Sequence, residues 1–401
     1  MSVWRQWGLE PIINASGAVT RLGGAPMPAE VVAAYAEAAR ECVPLDQAQG
    51  LASRVLAGAT GAEAGIVTSG AAAALTLGAA AVLAGYDLSR MEKLPDTAGM
   101  PNEFVVAREQ RNGYDHAVRA AGARLVEVGF HEVVAGAGVR RAEAWEFEAA
   151  FGERTAGVFY VHDPRSRPAL EEVVAVAHAR GLPVLVDAAG ELPPRANLRR
   201  LIAAGADLVA FSGGKAIRGP QGTGLLVGRR ELVGSAALQM LDMDDHAELW
   251  EPPANLIDRA KLRGLPRQGI GRGFKVSKEQ VLALLTALRL FVSGAYEEEL
   301  GRKRELLERI ARGLAGLPVT CRLEDAGDGE GMPVLEVALD EGRLGRSAME
   351  VCRLLRRGRP PVQVGHGRLA EGRLVVHPLH LDDPATEELT QRLREELASG
   401  S

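Results

Sequence analysis

Between about residues 50 and 235, short apolar runs bounded by Gly and Pro alternate with stretches of helical periodicity. The runs predict strands at 64–68, 103–107, 124–128, 157–161, 183–187, 207–211 and 223–227. The stretches between them predict helices that include 70–83, 169–180 and 195–204. Near-continuous apolar strands separated by helices are what a mostly parallel sheet covered on both faces requires. The expected fold class is α/β, with a large, mostly parallel seven-stranded sheet domain and a small α+β C-terminal domain. In open sheets of this kind ligands gather at the carboxyl ends of the strands.

The pattern changes after residue 235. Residues 238–268 are polar and irregular, carry Asp242, Asp244, Asp245, His246 and the Pro252-Pro253 pair, and read as a long connecting loop. Helical periodicity resumes from Val276 to about Gly313, with a break expected near Ser293-Gly294. Beyond it the chain predicts strands at 319–323, 334–338 and 373–377 and helices at 347–357 and 384–398. The expected organisation is an N-terminal segment over 1–50, a large domain over 51–255, and a long helix with the small domain over 256–401.

Composition narrows the class. The 401 residues carry a net charge of −5, with 25% charged and 47% hydrophobic side chains, which describes an ordinary globular protein. A mildly acidic chain without a basic tail is a poor partner for nucleic acid. Cys42, Cys321 and Cys352 are scattered, so neither a disulfide framework nor a zinc site is expected. The N-terminus lacks the apolar core of a signal peptide. The longest apolar stretch, 71–85, is shorter than the ~20 residues needed to span a bilayer. A reduced cytoplasmic enzyme without a membrane partner is the expectation. The 47 glycines exceed the usual ~7% share and sit at the ends of apolar runs, where enzymes place tight turns.

Two of those run ends carry chemistry. Val184-Leu185-Val186 ends in Asp187, and Leu208-Val209-Ala210-Phe211 ends in Ser212-Gly213-Gly214-Lys215. Asp187 and Lys215 should therefore both project at the carboxyl edge of the sheet, one strand–helix–strand unit apart. Alone, the pair also suits a structural ion pair, or a surface lysine and an N-cap aspartate. A third element is Ile66-Val67-Thr68 running into Ser69, Gly70, Ala71 and a helix. Free N–H groups at a helix start and the Ser69 hydroxyl make an anion site, and small side chains admit a phosphate. In isolation it is only a helix start. Together the three describe a pyridoxal 5′-phosphate site: a lysine for the Schiff base, an acid for the pyridinium nitrogen, and a helix end for the phosphate.

Five blocks carry a family resemblance. They are Ile12-Ile13-Asn14-Ala15-Ser16-Gly17, residues 94–100 (LPDTAGM), 111–118 (RNGYDHAV), 187–193 (DAAGELP) and 211–221 (FSGGKAIRGPQ). The chain resembles fold-type I pyridoxal-phosphate enzymes, in the group of bacterial selenocysteine synthase (seryl-tRNA selenium transferase) and D-glucosaminate-6-phosphate ammonia-lyase. The resemblance implies that Lys215 bonds the cofactor and moves the Cα proton, and that Asp187 partners the pyridinium. It implies a phosphate cup of Ser69, Gly70 and Ala71, with Ser212 and Thr223 as further cofactor contacts. His116 resembles the residue that stacks on the cofactor ring; a helix N-terminal histidine bonded locally is the alternative. The loop Gly219-Pro220-Gln221-Gly222-Thr223-Gly224 is similar to one that approaches a neighbouring subunit's cofactor, implying a homodimer or a ring of dimers. Arg21 and Arg272 are the candidate substrate anchors, although a surface salt bridge also suits Arg272.

The chain departs from the resemblance in two places. The Asn14 motif begins where selenocysteine synthase has already carried a tRNA-gripping domain, so transfer of selenium to tRNA-bound serine is the alternative reading. The segment Pro360-Pro361-Val362-Gln363-Val364-Gly365-His366 lacks the arginine that relatives tend to place there. The acidic cluster near Asp242 reads as a solvated loop rather than a metal site. His377 and His380 read as strand-end residues, and Arg353, Arg356, Arg357 and Arg359 as helix C-terminal cations. The expected activity is a carbon–nitrogen or carbon–oxygen lyase that removes ammonia or water from a small polar amino acid or amino-sugar acid to give a 2-keto acid. Aminotransfer and racemisation on the same cofactor site remain open.

Overall fold

A computed structural model describes residues 2–130, 140–325 and 330–398. Its strands are β1 (Ile13–Ala15), β2 (Ala64–Thr68), β3 (Glu103–Ala107), β4 (Arg124–Val128), β5 (Thr155–Val161) and β6 (Val184–Asp187). They continue as β7 (Leu208–Ser212), β8 (Gly224–Gly228), β9 (Val319–Glu324), β10 (Val334–Leu339), β11 (Val362–Val364) and β12 (Arg373–Val376). The chain forms two compact units, Met27–Val292 and Met1–Pro26 with Ser293–Ser401. The first holds a seven-stranded sheet in the order β2-β8-β7-β6-β5-β3-β4. All its pairings are parallel except those of β8, which runs antiparallel to both β2 and β7.

The seven apolar runs became these seven strands with ends shifted by at most two residues. The helix Ala71–Ala84 has no polar face and buries 11 of its residues, as a helix apolar all round must. β2 is an edge strand, and the helix Leu45–Thr60 closes it. Gln49 donates from Nε2 to the Val67 carbonyl at 2.9 Å and accepts the Val67 N–H at 2.9 Å, while Ser53 accepts the Gly65 N–H. A side-chain amide thus stands in for a missing neighbour strand, which protects the edge. Leaving both Val67 groups unpaired would cost about 1–3 kcal/mol each.

The expected domain limits at 50/51 and 255/256 differ from the divisions seen at 26/27 and 292/293. Gln49 explains the first, because residues 45–60 are bound to the large sheet. The helix Lys278–Ser293 explains the second, since it buries Val281, Leu284, Leu285, Leu288 and Phe291 within the large unit. Gly294 then turns left-handed (φ 82°), a 3-10 turn follows, and the helix Leu300–Gly313 begins. The break expected near 293–294 is there, and the unit boundary coincides with it. No helix among the described residues is long and apolar enough to cross a membrane.

In the other unit β12-β10-β9 form an antiparallel sheet, and β1 pairs in parallel with β11. The two short strands were not legible in the sequence, because three residues are too few to show alternation. His377 follows β12, donates its backbone N–H to Ala15 at 2.9 Å and presents its ring to Gly17. Burial pushes its imidazole down to about 4 from an ordinary 6.5. The native ring is neutral while the unfolded chain takes up a proton below about pH 6.5. Stability is therefore present above that pH and is lost as pH falls toward 4, by at most about 3 kcal/mol from this group. In denaturant titrations at pH 7, 5.5 and 4.5, His377→Gln should flatten the slope. An unchanged slope would show that the ring does not titrate this way.

Candidate active site

Strand direction assembles the site. Because β8 is antiparallel to both neighbours, its first residue, Gly224, pairs with the last residues of β2 and β7, Thr68 and Ser212. The last residue of β6, Asp187, pairs with Ala210 of β7 and Val161 of β5. The carboxyl ends of four strands and the start of β8 thus share one edge, with the helix start after β2 at one side and Asp187 toward the other.

The turn carrying Lys215 is tied into this edge by backbone bonds. Gly213 donates to Thr223 O at 2.9 Å, Gly219 donates to Gly213 O at 2.9 Å, and Arg218 donates to Lys215 O at 3.0 Å. Thr223 is buried and gives both its N–H and its hydroxyl to Pro220 O. A Cβ on Gly214 would lie 2.5 Å from the Gln221 Cα, so the turn closes only on bare backbone. Arg218 is held left-handed at φ 61°, which places strain in this turn. Lys215 itself is half-buried, and its Nζ has no bonded partner among the described residues. It sits 4.0 Å from the position a Cβ on Gly190 would take, over the turn that follows Asp187.

At the end of β2, Thr68 donates its hydroxyl to Gly70 O at 2.9 Å and so shapes the entry to the helix. Gly70 takes φ 107° and supplies no side-chain cap. The first bond of the helix runs from Ala74 N to Gly70 O, so the N–H groups of Ala71, Ala72 and Ala73 point out unpaired, as helix starts leave them. Ser69 is exposed beside them. A Cβ on Gly224 would lie 2.4 Å from the Gly70 carbonyl carbon, so β8 presses directly on this cup.

Asp187 is 7% exposed, and among the described residues its carboxyl accepts only the Ala189 N–H, at 3.0 Å. Burial raises its carboxyl above the usual carboxylate range, against that hydrogen bond and the weaker pull of Lys215. A buried acid with no cation at bonding distance is costly unless a partner arrives. Beside it His162 donates its backbone N–H to Asp187 O at 2.9 Å. The His162 Nδ1 is buried and unpaired, while Nε2 lies 3.1 Å from Arg200. Burial and Arg200 push that imidazole down. Glu191, raised by burial and by Asp163 and Asp187, lies at the same edge. Sequence reasoning gave His162 and Glu191 no role. The available signal for His162 was its place directly after a strand, the same signal that marked Asp187.

The structure brings together Ser69, Gly70, Ala71, Asp187, Ser212, Lys215 and Thr223 along one sheet edge. His116 is exposed on the first turn of the helix Asp115–Ala120, which Thr76 ties to the helix of the cup through Ala117 O at 2.8 Å. The local hydrogen bond weighed for His116 is absent among the described residues. Arg272 is engaged by Asp242 at 2.6 Å, with Gln268 on the same carboxylate. That is the surface salt bridge, and it leaves the anchor role without support. Arg21 belongs to the other unit, where it bonds Gln363 at 3.3 Å.

These residues suit pyridoxal phosphate: an unpaired helix start for a phosphate, a buried acid lacking its cation, a free lysine and an orphaned ring nitrogen beside the acid. The comparisons agree. The family model for L-seryl-tRNA selenium transferase matches residues 114–243. The chain is 31% identical to a 5′-C-glycyluridine monooxygenase-decarboxylase of Streptomyces, over 98% of this chain and 91% of that one. It belongs to the selenocysteine synthase-like group of fold-type I pyridoxal-phosphate enzymes. Within that group it is 29% identical to the D-glucosaminate-6-phosphate ammonia lyase of Salmonella typhimurium, over 98% of this chain and 97% of that one. A solved D-glucosaminate-6-phosphate ammonia-lyase superposes with a TM-score of 0.82 at 28% identity, covering 100% of this chain and 99% of that one. The group's fold, a mostly parallel mixed sheet with a second α+β unit, is the one described above.

Proposed function

We propose that the chain is a cytoplasmic pyridoxal-phosphate lyase that removes ammonia or water from a small polar amino acid or amino-sugar acid, leaving a 2-keto acid. The observation that carries this reading is the end-to-end likeness to D-glucosaminate-6-phosphate ammonia-lyase, with Lys215, Asp187 and the cup on one edge. When bound, the cofactor supplies an aldehyde for a lysine and a ring that draws electrons from a carbon losing a proton. Ser69 and the N–H groups of Ala71, Ala72 and Ala73 would take its phosphate. Asp187 would hold the ring nitrogen protonated, and His162 offers its unpaired Nδ1 to a polar group beside it.

Lys215 has the freedom a proton carrier needs: a side chain on a closed turn, with Nζ unbonded. Once the substrate amine has displaced it from the aldehyde, Lys215 would be free to carry the Cα proton, and its return would release the product. Overall the substrate would lose its β-hydroxyl as water and take up one water as its amine leaves as ammonia, so atoms balance without an amino acceptor. His116 on the cup's neighbouring helix is a candidate to cover the ring. The loop 219–224 fits a homodimer or a ring of dimers in which it reaches a second copy.

The test is to give the loaded enzyme D-glucosaminate 6-phosphate, D-glucosaminate and serine, and to measure keto acid, ammonia, CO2 and O2. Equal release of keto acid and ammonia is expected, without CO2 or O2 uptake. CO2 release with O2 consumption would replace the reading with the chemistry named for the Streptomyces relative. Keto acid only in the presence of an amino acceptor would make the enzyme an aminotransferase.

A further inference from the structure

The unit that holds β1 and β9–β12 contains a cavity for which the lyase reading names no role beyond Arg21 as a candidate substrate anchor. Parallel pairing of β1 with β11 sets the 3-10 turn Thr20–Leu22 beside the end of β11. Arg21 there donates to Gln363 Oε1 at 3.3 Å, with its other nitrogen 3.5 Å from His366 Nδ1. The helix Ala348–Arg357 supplies the facing wall, where Met349, Cys352 with Arg353, and Arg356 recur at the three-to-four-residue spacing of one helix face. Together with Leu369 they enclose a cavity of about 420 Å³.

Several arginines of this unit are paired: Arg346 with Glu396, Arg368 with Glu336 and Glu371, Arg373 with Glu336, and Arg392 with Glu395 and Glu396. Arg21, Arg353 and Arg356 have no carboxylate within salt-bridge distance among the described residues. Glu350 on that helix bonds Ser347 in the capping box at 2.9 and 3.0 Å and attracts Arg353 only at longer range. If His366 Nδ1 accepts from Arg21, its other nitrogen carries the proton and can donate. Arg21, Arg353, Arg356 and His366, all exposed, thus line one cavity with no carboxylate bonded to the three guanidinium groups among the described residues. The floor beneath them is apolar, with Cys352 and Leu369 buried and Met349 at the rim.

We propose that this cavity binds a phosphomonoester. Three positive charges exceed what one carboxylate neutralises, whereas a phosphate dianion offers three terminal oxygens to planar guanidinium forks. The apolar floor takes the carbon skeleton next to the phosphate. A nucleic-acid backbone fits less well, because the chain is net negative.

Binding is measured by calorimetry at low ionic strength on enzyme whose cofactor has been fixed by borohydride, so that the cup at Ser69 is filled. The probes are glucose 6-phosphate, inorganic phosphate and acetate. Glucose 6-phosphate should bind more tightly than inorganic phosphate, and acetate at least tenfold more weakly than either. Arg353→Gln and Arg356→Gln should each weaken glucose 6-phosphate about tenfold, and the double variant should abolish its binding. Arg357→Gln, one residue outside the cavity, should leave it unchanged. Met349→Gln should weaken glucose 6-phosphate and spare inorganic phosphate. The proposal is overturned if the double variant binds like the wild type, if acetate matches phosphate, or if tRNA displaces the ligand at equimolar concentration. The cofactor's visible band, recorded before fixation in every variant, reports on the large unit separately. Failure here leaves the lyase reading untouched, and loss of that band would count against the lyase reading alone.

Discussion

Lys215→Ala is expected to abolish turnover, by at least ~10³-fold, and to remove the covalent attachment of pyridoxal phosphate while leaving the protein folded. The group removed would serve both as the covalent nucleophile and as the proton carrier at Cα, and a positioned base alone contributes about 10²–10⁴-fold. The fold should tolerate the change. Lys215 is half-buried and its Nζ bonds nothing among the described residues, so the substitution leaves no buried partner unsatisfied. The turn is held by Gly213, Gly219 and Thr223 through their backbones, which the substitution does not touch. Borohydride reduction followed by peptide mass spectrometry should place a pyridoxyl group on Lys215 in the wild type and on no peptide of the variant. A pyridoxyl group on a different lysine, or turnover within tenfold of wild type, would refute the assignment.

Asp187→Asn should separate function from stability. In the cofactor-free protein the Asp187 carboxyl is raised by burial, so the folded state resists its ionisation. For a group raised in this way, its stability contribution is complete below the ordinary carboxyl range and is lost as pH rises through the folded value. At pH 7 the cofactor-free wild type therefore carries a buried charge that asparagine does not. The amide oxygen can still accept the Ala189 N–H. The cofactor-free variant should be the more stable of the two at pH 7, by on the order of 1 kcal/mol or more, with the difference shrinking toward pH 4. Adding pyridoxal phosphate should invert the order, because a ring nitrogen held protonated compensates the carboxylate and not the amide. Activity should fall about 10²–10³-fold, the range for removing one preorganised electrostatic group. Thermal unfolding of both proteins, with and without cofactor, decides this. If the wild type is more stable in both states, Asp187 is a structural residue.

Much of the large sheet was legible because β2, β6, β7 and β8 are buried on both faces, so their apolar runs are continuous. Lys215, Asp187 and the Ser69–Ala71 cup were legible for a related reason: each interrupts an apolar run at its carboxyl end. Gln49 was not, because an amide that replaces a strand looks like any polar residue on a helix until the edge it covers is known. Nor was the pairing of Arg272 with Asp242, or of His162 with nothing at Nδ1, since both depend on neighbours distant in the chain.

The sequence by itself determined the α/β class, the succession of strands, and which residues are proposed to carry the cofactor chemistry. Those follow from local hydrophobic periodicity and from polar groups at the ends of apolar runs. Only the tertiary structure decided where the units divide, that Asp187 lies buried without a cation, and that Arg21 meets Arg353 and Arg356 around one cavity. These are properties of packing between segments far apart in the chain. Burial and charge at a point in space are set by every element that passes near it, and no window of the sequence contains them all.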